Sequence, residues 1–284
     1  MRNALKTTVL LAALGALFIG IGGAIGGSSG LAIGLVLGLL FCGGSYWFSD
    51  KLAIAAARAR PVTREEAPQL YAIVEDLSRR DDLPLPKMYM SDAQQPNAFA
   101  TGRSPSHAAV CVTQGAFSLL NEEELKGVLA HELSHVKHRD ILISSVAAAV
   151  AMAIMFAARF AMWGAIFGGG GGNRDNEGGN IFGILALVIL APIAAMLLQM
   201  ALSRSREYAA DAGGARLMGT GEPLARALEK IETYAKQVPM DVNPAQAQAY
   251  IVNPLTGRKA NFANLFTTHP PTEDRIQRLR SHEW

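Results

Sequence analysis

The chain has 284 residues, half of them hydrophobic, and a mean hydropathy of +0.19. This composition is too apolar for an ordinary soluble enzyme of one or two domains. The formal net charge is only +2, which argues against a polyanionic partner such as nucleic acid. Neither Cys42 nor Cys111 has a C-x-x-C neighbour. A disulfide framework or a thiolate metal site is therefore not indicated, and we expect Cys111 to be buried and reduced.

The first fifty residues are strongly apolar. Residues 7–49 carry no charge, and since one membrane span needs about 20 residues, this run has room for two. A glycine- and serine-rich break at 26–30 predicts spans over 7–26 and 31–48, with the aromatic residues at 46–48 as anchors at the membrane interface. A cleaved signal peptide is the alternative. The length of the run, and the second run directly after it, favour a retained anchor.

The polar segment 51–140 follows. Its pattern predicts an amphipathic helix at 65–80, short strands at 87–90 and 108–113, and a turn-rich stretch at 92–106 between the strands. A small sheet of this kind suits peptide binding, because an extended substrate can add to its edge.

The most informative motif is the pentapeptide 131–135, which matches H-E-x-x-H. Asn121 and Glu124 predict the capped start of the helix that carries it. Histidines four residues apart lie on one helix face, so both imidazoles can bind one Zn²⁺. Zinc lowers the pKa of a bound water to about 7, and Glu132 can take the proton as that water attacks a peptide carbonyl.

Two more apolar runs come next, at 141–167 and at 181–202. Arg159 lies late enough in the first run to reach the interface, and Pro192 predicts a kink in the second. The glycine-rich loop 168–179 between them is not a phosphate-binding loop, because no strand precedes it. The length of both runs favours membrane insertion over a buried hairpin in a soluble core.

Basic residues flank all four apolar runs, and four spans would place them all on one side of the membrane. They are Arg2, Lys6, Lys51, Arg58, Arg60, Lys137, His138, Arg139, Arg204 and Arg206. Positive charge marks the cytoplasmic side. We therefore expect the polar segments and both termini in the cytoplasm, with the zinc helix close to the membrane surface.

The second polar segment, 203–284, reads as helices at 203–218, 222–236 and 272–281. It must supply the third protein ligand that such a zinc site requires. Glu207, Asp211 and His269 are the candidates. Glu207 and Asp211 lie directly after the fourth run, as the zinc helix lies directly before the third, so the hairpin brings them together.

We prefer Glu207 as the ligand, with Asp211 hydrogen-bonded to a ligand imidazole, although spacing alone does not separate the two. His269 lies in a proline-rich loop and is either simply exposed or helps to stabilise the oxyanion. Neither His107 nor His138 is expected to be a ligand.

Taken together, these segments resemble the HtpX-type membrane metalloproteases, in the peptidase family that also contains the CaaX prenyl endopeptidases. The resemblance covers nearly the whole chain and rests on the N-terminal double span and on 96–102, 131–140, 205–211 and 268–275. It implies one Zn²⁺ bound by His131, His135 and Glu207, with Glu132 as catalytic base. Asp211 would support a ligand histidine, and Asn97 would contact the substrate backbone. His269 and Arg275 would stabilise the transition state or order the site.

With the apolar runs, the resemblance implies a mainly α integral membrane protein with four transmembrane helices and a zincin-like (gluzincin) α+β cytoplasmic catalytic domain that contains a small sheet. Two spans occupy 1–50, a transmembrane hairpin occupies 141–202, and 51–140 and 203–284 are the two halves of the catalytic domain. The expected activity is zinc-dependent endopeptidase cleavage of damaged or misfolded membrane proteins in the bacterial inner membrane under stress. Its partners would be those polypeptides and the lipid bilayer.

Other functions fit less well. A CaaX-type prenyl protease would be larger, with more spans around a chamber. A non-catalytic membrane scaffold would not be expected to keep Glu132. Metal transport is disfavoured because the predicted spans contain no acidic residue or histidine.

Overall fold

The structure is a computed structural model that describes residues 2–139, 206–238, 251, 270–282 and 284. Its helices are α1 (Arg2–Trp47), α2 (Ser49–Ala56), α3 (Pro68–Arg80), α4 (Gln114–Leu119), α5 (Glu122–Lys137), α6 (206–218), α7 (Glu222–Gln237) and α8 (Thr272–Arg280). Its strands are β1 (Arg60–Pro61), β2 (Lys87–Ser91), β3 (Ala98–Gly102) and β4 (Ala108–Thr113). The predicted hairpin at 141–202 and His269 lie outside the described residues.

Helix α1 folds back on itself at Gly27. This glycine has φ +57°, a conformation that side chains with a Cβ rarely adopt. Beyond the turn, Gly34 lies against the Phe18 carbonyl, and a Cβ on Gly38 would lie 3.5 Å from the Gly15 Cα. The two arms therefore pack closely through glycines, and the break predicted at 26–30 is confirmed.

Within the described part of the chain, no helix combines the length and the apolarity that crossing a membrane requires.

The four strands form one mixed sheet in the order β1-β2-β4-β3. Strand β2 runs parallel to β4, whereas β3 runs antiparallel to β4 and is the last strand of the sheet among the residues that the structure describes. The stretch 92–106, predicted to be turn-rich, thus also contains a strand that the sequence did not predict. The strand has alanines where strands usually have β-branched residues, and its pairing with β4 supplies the stability that its own propensity lacks.

A large core covers one face of the sheet. Met88, Val110 and Val112 pack there against buried leucines of three helices. These are Leu70 and Leu77 of α3, Leu125, Leu129 and Leu133 of α5, and Leu224 and Leu228 of α7. Each such side chain contributes about 1.5–3 kcal/mol when it is fully buried, so α5 is fixed between the sheet and α7.

Helix α2 covers the opposite face of the sheet. Its Ile54 packs on Phe99, Ala109 and Cys111, and the Ser91 hydroxyl donates a 2.7 Å hydrogen bond to the Ala57 carbonyl. Cys111 is free and buried as predicted, and burial raises the pKa of its thiol to about 12. Helices therefore cover both faces of the sheet, and α1 leads directly into α2, the helix on the outer face.

The helix boundaries follow local signals. The capping box predicted for α5 is confirmed, because Asn121 and Glu124 exchange two hydrogen bonds of 2.9 Å. Helix α3 begins at Pro68 rather than at the predicted residue 65, because proline fits the first helical turn and disfavours helix in the residue before it. The predicted helices at 222–236 and 272–281 are confirmed as α7 and α8 to within one residue.

Candidate metal centre

Helix α5 presents His131, Glu132 and His135 from a rigid and buried setting. His131 is 2% exposed. The α7 backbone approaches α5 at Gly127, where a Cβ would lie 2.7 Å from the Leu224 nitrogen. Such close packing on the sheet and on α7 fixes the position of α5 and the direction of its buried side chains.

Helix α6 crosses α5 at two glycines. A Cβ on Gly214 would lie 2.9 Å from the backbone nitrogen of His131, and a Cβ on Gly213 would overlap with the Ser134 hydroxyl. Glu207, Asp211 and Gly214 share one helix face, since they are spaced by four and then three residues. The contact at Gly214 therefore points both acidic side chains towards α5.

The donor atoms of His131, His135 and Glu207 form one cluster, in which all lie within 4.8 Å of one another. The Glu207 carboxylate oxygens lie 3.7 Å from His131 Nε2 and 3.6 Å from His135 Nε2. Tetrahedral zinc with bonds of about 2.0–2.2 Å holds its ligands roughly 3.3–3.6 Å apart. Two imidazoles and one carboxylate at these separations fit a metal ion of that kind.

Asp211 lies on the far side of His131 from Glu207. Its Oδ1 is 2.9 Å from His131 Nδ1, within hydrogen-bonding distance although the ring N–H is poorly aligned with it. Arg275 donates to both Asp211 oxygens, at 2.7 and 2.8 Å. Burial raises the pKa of Asp211, but the charge of Arg275 and the contacts with Arg275 and His131 outweigh it and bring the pKa to about 2. A charged carboxylate therefore faces the rear nitrogen of His131.

The Glu132 carboxylate is buried beside β3. Its Oε2 accepts a 2.8 Å hydrogen bond from the Ala100 backbone nitrogen. Backbone groups alternate in direction along an antiparallel strand, so Ala100 directs its N–H away from β4 and towards α5. The sequence did not predict this contact, because it did not predict β3.

Asn97 and Arg275 reach the site from opposite directions. Asn97 is buried at the start of β3, and its Oδ1 accepts a 3.3 Å hydrogen bond from the Ile251 nitrogen. Arg275 donates a 2.8 Å bond to the Ile251 carbonyl and lies 3.8 Å from a Glu207 oxygen. No sequence signal identifies Ile251, since its backbone rather than its side chain makes these contacts.

The other described histidines lie apart from the cluster. His107 is exposed in the turn before β4, and its Nδ1 lies 3.0 Å from the Ser104 hydroxyl. The Nδ1 of His138 lies 2.8 Å from the Ser134 carbonyl.

We expect Gly214→Ala to weaken metal binding and to lower the free energy of unfolding by about 1–3 kcal/mol, the usual cost of overpacking. Its added Cβ meets the α5 backbone, which cannot rotate away. The matched control is Gly213→Ala in a Ser134→Gly background, compared with Ser134→Gly alone, because this background removes both Ser134 atoms that an added Cβ would meet and leaves the next atom 3.8 Å away. Bound zinc and thermal unfolding are measured for both proteins. Equal losses would contradict a specific role for the approach at Gly214.

Comparisons with known proteins agree on one family. The model for peptidase family M48 matches residues 64–283. The chain is 54% identical over 283 residues to a protein named Protease HtpX homolog from Syntrophobacter fumaroxidans, covering 99% of this chain and 100% of that protein. It is 52% identical over 277 residues to a protein of the same name from Thermococcus kodakarensis, covering 97% of this chain and 94% of that protein.

A solved structure resembles the chain in fold. The crystal structure of S. mikatae Ste24p aligns with a TM-score of 0.51 and 19% identity, covering 98% of this chain. The present chain spans 65% of the length of that protein. At this level of identity the likeness supports the fold alone.

Proposed function

Because the chain belongs to peptidase family M48, we propose that it is a zinc-dependent endopeptidase whose active site lies between α5 and α6. Membership of the family confirms the resemblance found in the sequence and the class of enzyme, a metalloprotease with a small mixed sheet and mostly helical content. The observation that carries the site assignment is the cluster of His131, His135 and Glu207 donor atoms beside the Glu132 carboxylate.

The donor set supports zinc as the metal. Two histidines and one glutamate are a common ligand set of catalytic zinc sites, which keep a fourth position open for water or substrate. A zinc ion held there would supply Lewis-acid activation of that water. Sites built from thiolates are disfavoured, because Cys111 lies within the sheet.

Glu132 is proposed as the general base. It takes a proton from the attacking water and returns it to the leaving amine, a role that suits a carboxylate held next to the ligand residue His131. Asp211 keeps His131 oriented. The resemblance assigns transition-state stabilisation or ordering of the site to His269 and Arg275, and contact with the substrate backbone to Asn97.

The substrate is proposed to be an extended polypeptide lying along β3. Among the described residues β3 is the last strand of the sheet, and Ala98, Gly102 and the Ala100 carbonyl direct their backbone groups away from β4, whereas the Ala100 nitrogen already donates to Glu132. A peptide can add to such an edge through main-chain hydrogen bonds. Ala98, Ala100 and Gly102 are small and leave room beside the strand for the side chains of many sequences, which suits an enzyme for damaged proteins.

We further propose that the protein acts on membrane proteins, from the cytoplasmic face of the bacterial inner membrane, with four spans. Large apolar side chains of α1 support this, since Ile33, Leu39 and Leu40 are 60%, 65% and 67% exposed. Trp47, the last residue of α1, is exposed, and the Arg103 guanidinium lies 4.5 Å from the centre of its ring. Aromatic rings beside cations are typical of the membrane interface.

Metal removal tests this function. We expect the detergent-purified protein to cleave casein and a membrane protein in proteoliposomes, to lose cleavage of both in a chelator, and to regain it with about one equivalent of Zn²⁺. Cleavage measured by peptide release before and after reloading checks this. Undiminished cleavage in metal-free protein would contradict the proposal, and cleavage of casein alone would contradict the membrane-protein substrates.

A further inference from the structure

Two buried side chains hold the backbone of a single residue, Ile251, from opposite sides. The Ile251 N–H donates to Asn97 Oδ1 at 3.3 Å, and the Ile251 carbonyl accepts from Arg275 Nη1 at 2.8 Å. Asn97, Ile251 and Arg275 are 4%, 3% and 1% exposed. Water therefore does not readily replace either partner, and both hydrogen bonds are costly to lose.

Through Arg275, the Ile251 backbone is connected to the metal cluster. Arg275 binds both oxygens of Asp211, and Asp211 lies 2.9 Å from the rear nitrogen of His131. The Arg275 guanidinium is planar, so its contacts with Asp211 and with the Ile251 carbonyl lie in one fixed geometry. Any shift of Ile251 is therefore transmitted to the carboxylate that orients His131.

Through Asn97, the Ile251 backbone is connected to strand β3. The backbone of Asn97 is tied to Thr113 of β4, because its nitrogen donates to the Thr113 hydroxyl at 2.8 Å and its carbonyl accepts from the Thr113 nitrogen at 2.9 Å. Three residues further along β3, Ala100 donates to Glu132. The position of Asn97 thus fixes the start of the strand that contacts the proposed base.

We propose that Asn97 and Arg275 form a clamp on the Ile251 backbone, and that this clamp holds the metal-binding histidine and strand β3 in one fixed relation. Both residues act as positioning residues rather than catalytic ones. The proposal rests on the proposed function in taking the cluster of His131, His135 and Glu207 as a metal site. It gives Asn97 a role that does not depend on contact with substrate.

The first test measures the release of Zn²⁺ from zinc-loaded, full-length protein to an excess of a coloured chelator, with no substrate present. We expect Asn97→Ala and Arg275→Lys each to speed release by about 10-fold or more, since loss of a group that supports a ligand costs 10–100-fold in metal affinity.

The matched control is Arg280→Lys. Arg280 lies on the same helix as Arg275 but is exposed and binds Glu222 and Glu229, so its replacement should leave zinc release unchanged. Arg275→Lys and Asn97→Ala should also interact. In the double variant, zinc release should be accelerated by less than the product of the two single effects, because both changes disrupt the same clamp on Ile251. Independent, multiplying effects would overturn the clamp.

A second readout is backbone hydrogen exchange in metal-free protein. Arg275→Lys should speed exchange in β3 although Arg275 lies on α8, and Arg280→Lys should not. This measurement separates the clamp from the proposed function, because it requires neither bound zinc nor peptide cleavage. Unchanged zinc release and unchanged exchange in Asn97→Ala, together with a raised KM, would overturn the clamp and leave Asn97 as a substrate contact.

Discussion

Replacement of Glu132 by glutamine is expected to abolish peptide cleavage while leaving metal binding intact. Glutamine has nearly the same shape, and its amide oxygen can still accept the hydrogen bond from Ala100. It cannot take a proton from water, however, and general base catalysis contributes about 10²–10⁴-fold to a rate. The variant should therefore hold as much zinc as the wild type and cleave casein at least about 100-fold more slowly.

Glu123→Gln is the matched control for this experiment. Glu123 lies on the same helix but is exposed in its first turn, so that variant should cleave casein at the wild-type rate. The metal content and the initial cleavage rate of the wild type, Glu132→Gln and Glu123→Gln test the role of Glu132. Normal cleavage by Glu132→Gln would remove Glu132 from the role of base, and loss of zinc from it would place Glu132 among the ligands.

The two acidic residues of α6 should respond differently to replacement. Glu207→Ala removes a carboxylate from the donor cluster and should lose bound zinc altogether under conditions in which the wild type retains it. Asp211→Asn removes a charge behind His131 and should weaken zinc binding by about 10–100-fold. It also leaves the Arg275 guanidinium buried without its counter-ion. Breaking such a pair costs about 3–5 kcal/mol, so the unfolding temperature should fall.

Exposed acidic residues of α8 provide the matched controls, Glu273→Ala for Glu207→Ala and Asp274→Asn for Asp211→Asn. Neither control should change zinc affinity, since both side chains are exposed. Zinc affinity by competition with a coloured chelator, together with thermal unfolding, distinguishes the roles. If Asp211→Asn lost zinc and Glu207→Ala kept it, the roles of the two residues would have to be exchanged.

The parts of the site that a sequence can predict are those encoded by local spacing. Asn121 and Glu124 identify the start of α5, and the pentapeptide at 131–135 places two imidazoles on one face of it. The same rule puts Glu207 and Asp211 on one face of α6. Spacing cannot rank those two acids, because their difference lies in how α6 crosses α5. Only the packed structure puts the donor atoms of Glu207 beside His135 and the carboxylate of Asp211 behind His131.

The parts that were missed depend on long-range contacts. Strand β3 alternates Ala98, Ala100 and Gly102, which have weak strand preference, with Phe99 and Thr101, and its pairing with β4 stabilises it. The close approach at Gly214 depends on a missing side chain, and the hydrogen bonds of Ile251 involve its backbone, so neither leaves a recognisable pattern. Helix α1 is an intermediate case, since the glycines at 26–30 predicted its turn, but not the packing of Gly34 on Phe18.

X-ray absorption at the zinc edge of full-length protein, loaded with one zinc per chain, tests the metal centre between α5 and α6 most directly. We expect a sulfur-free first shell of two imidazole nitrogens and carboxylate or water oxygens at about 2.0–2.2 Å, and one nitrogen fewer in His135→Ala. A thiolate sulfur at about 2.3 Å, or a shell that His135→Ala leaves unchanged, would contradict a metal centre formed jointly by α5 and α6.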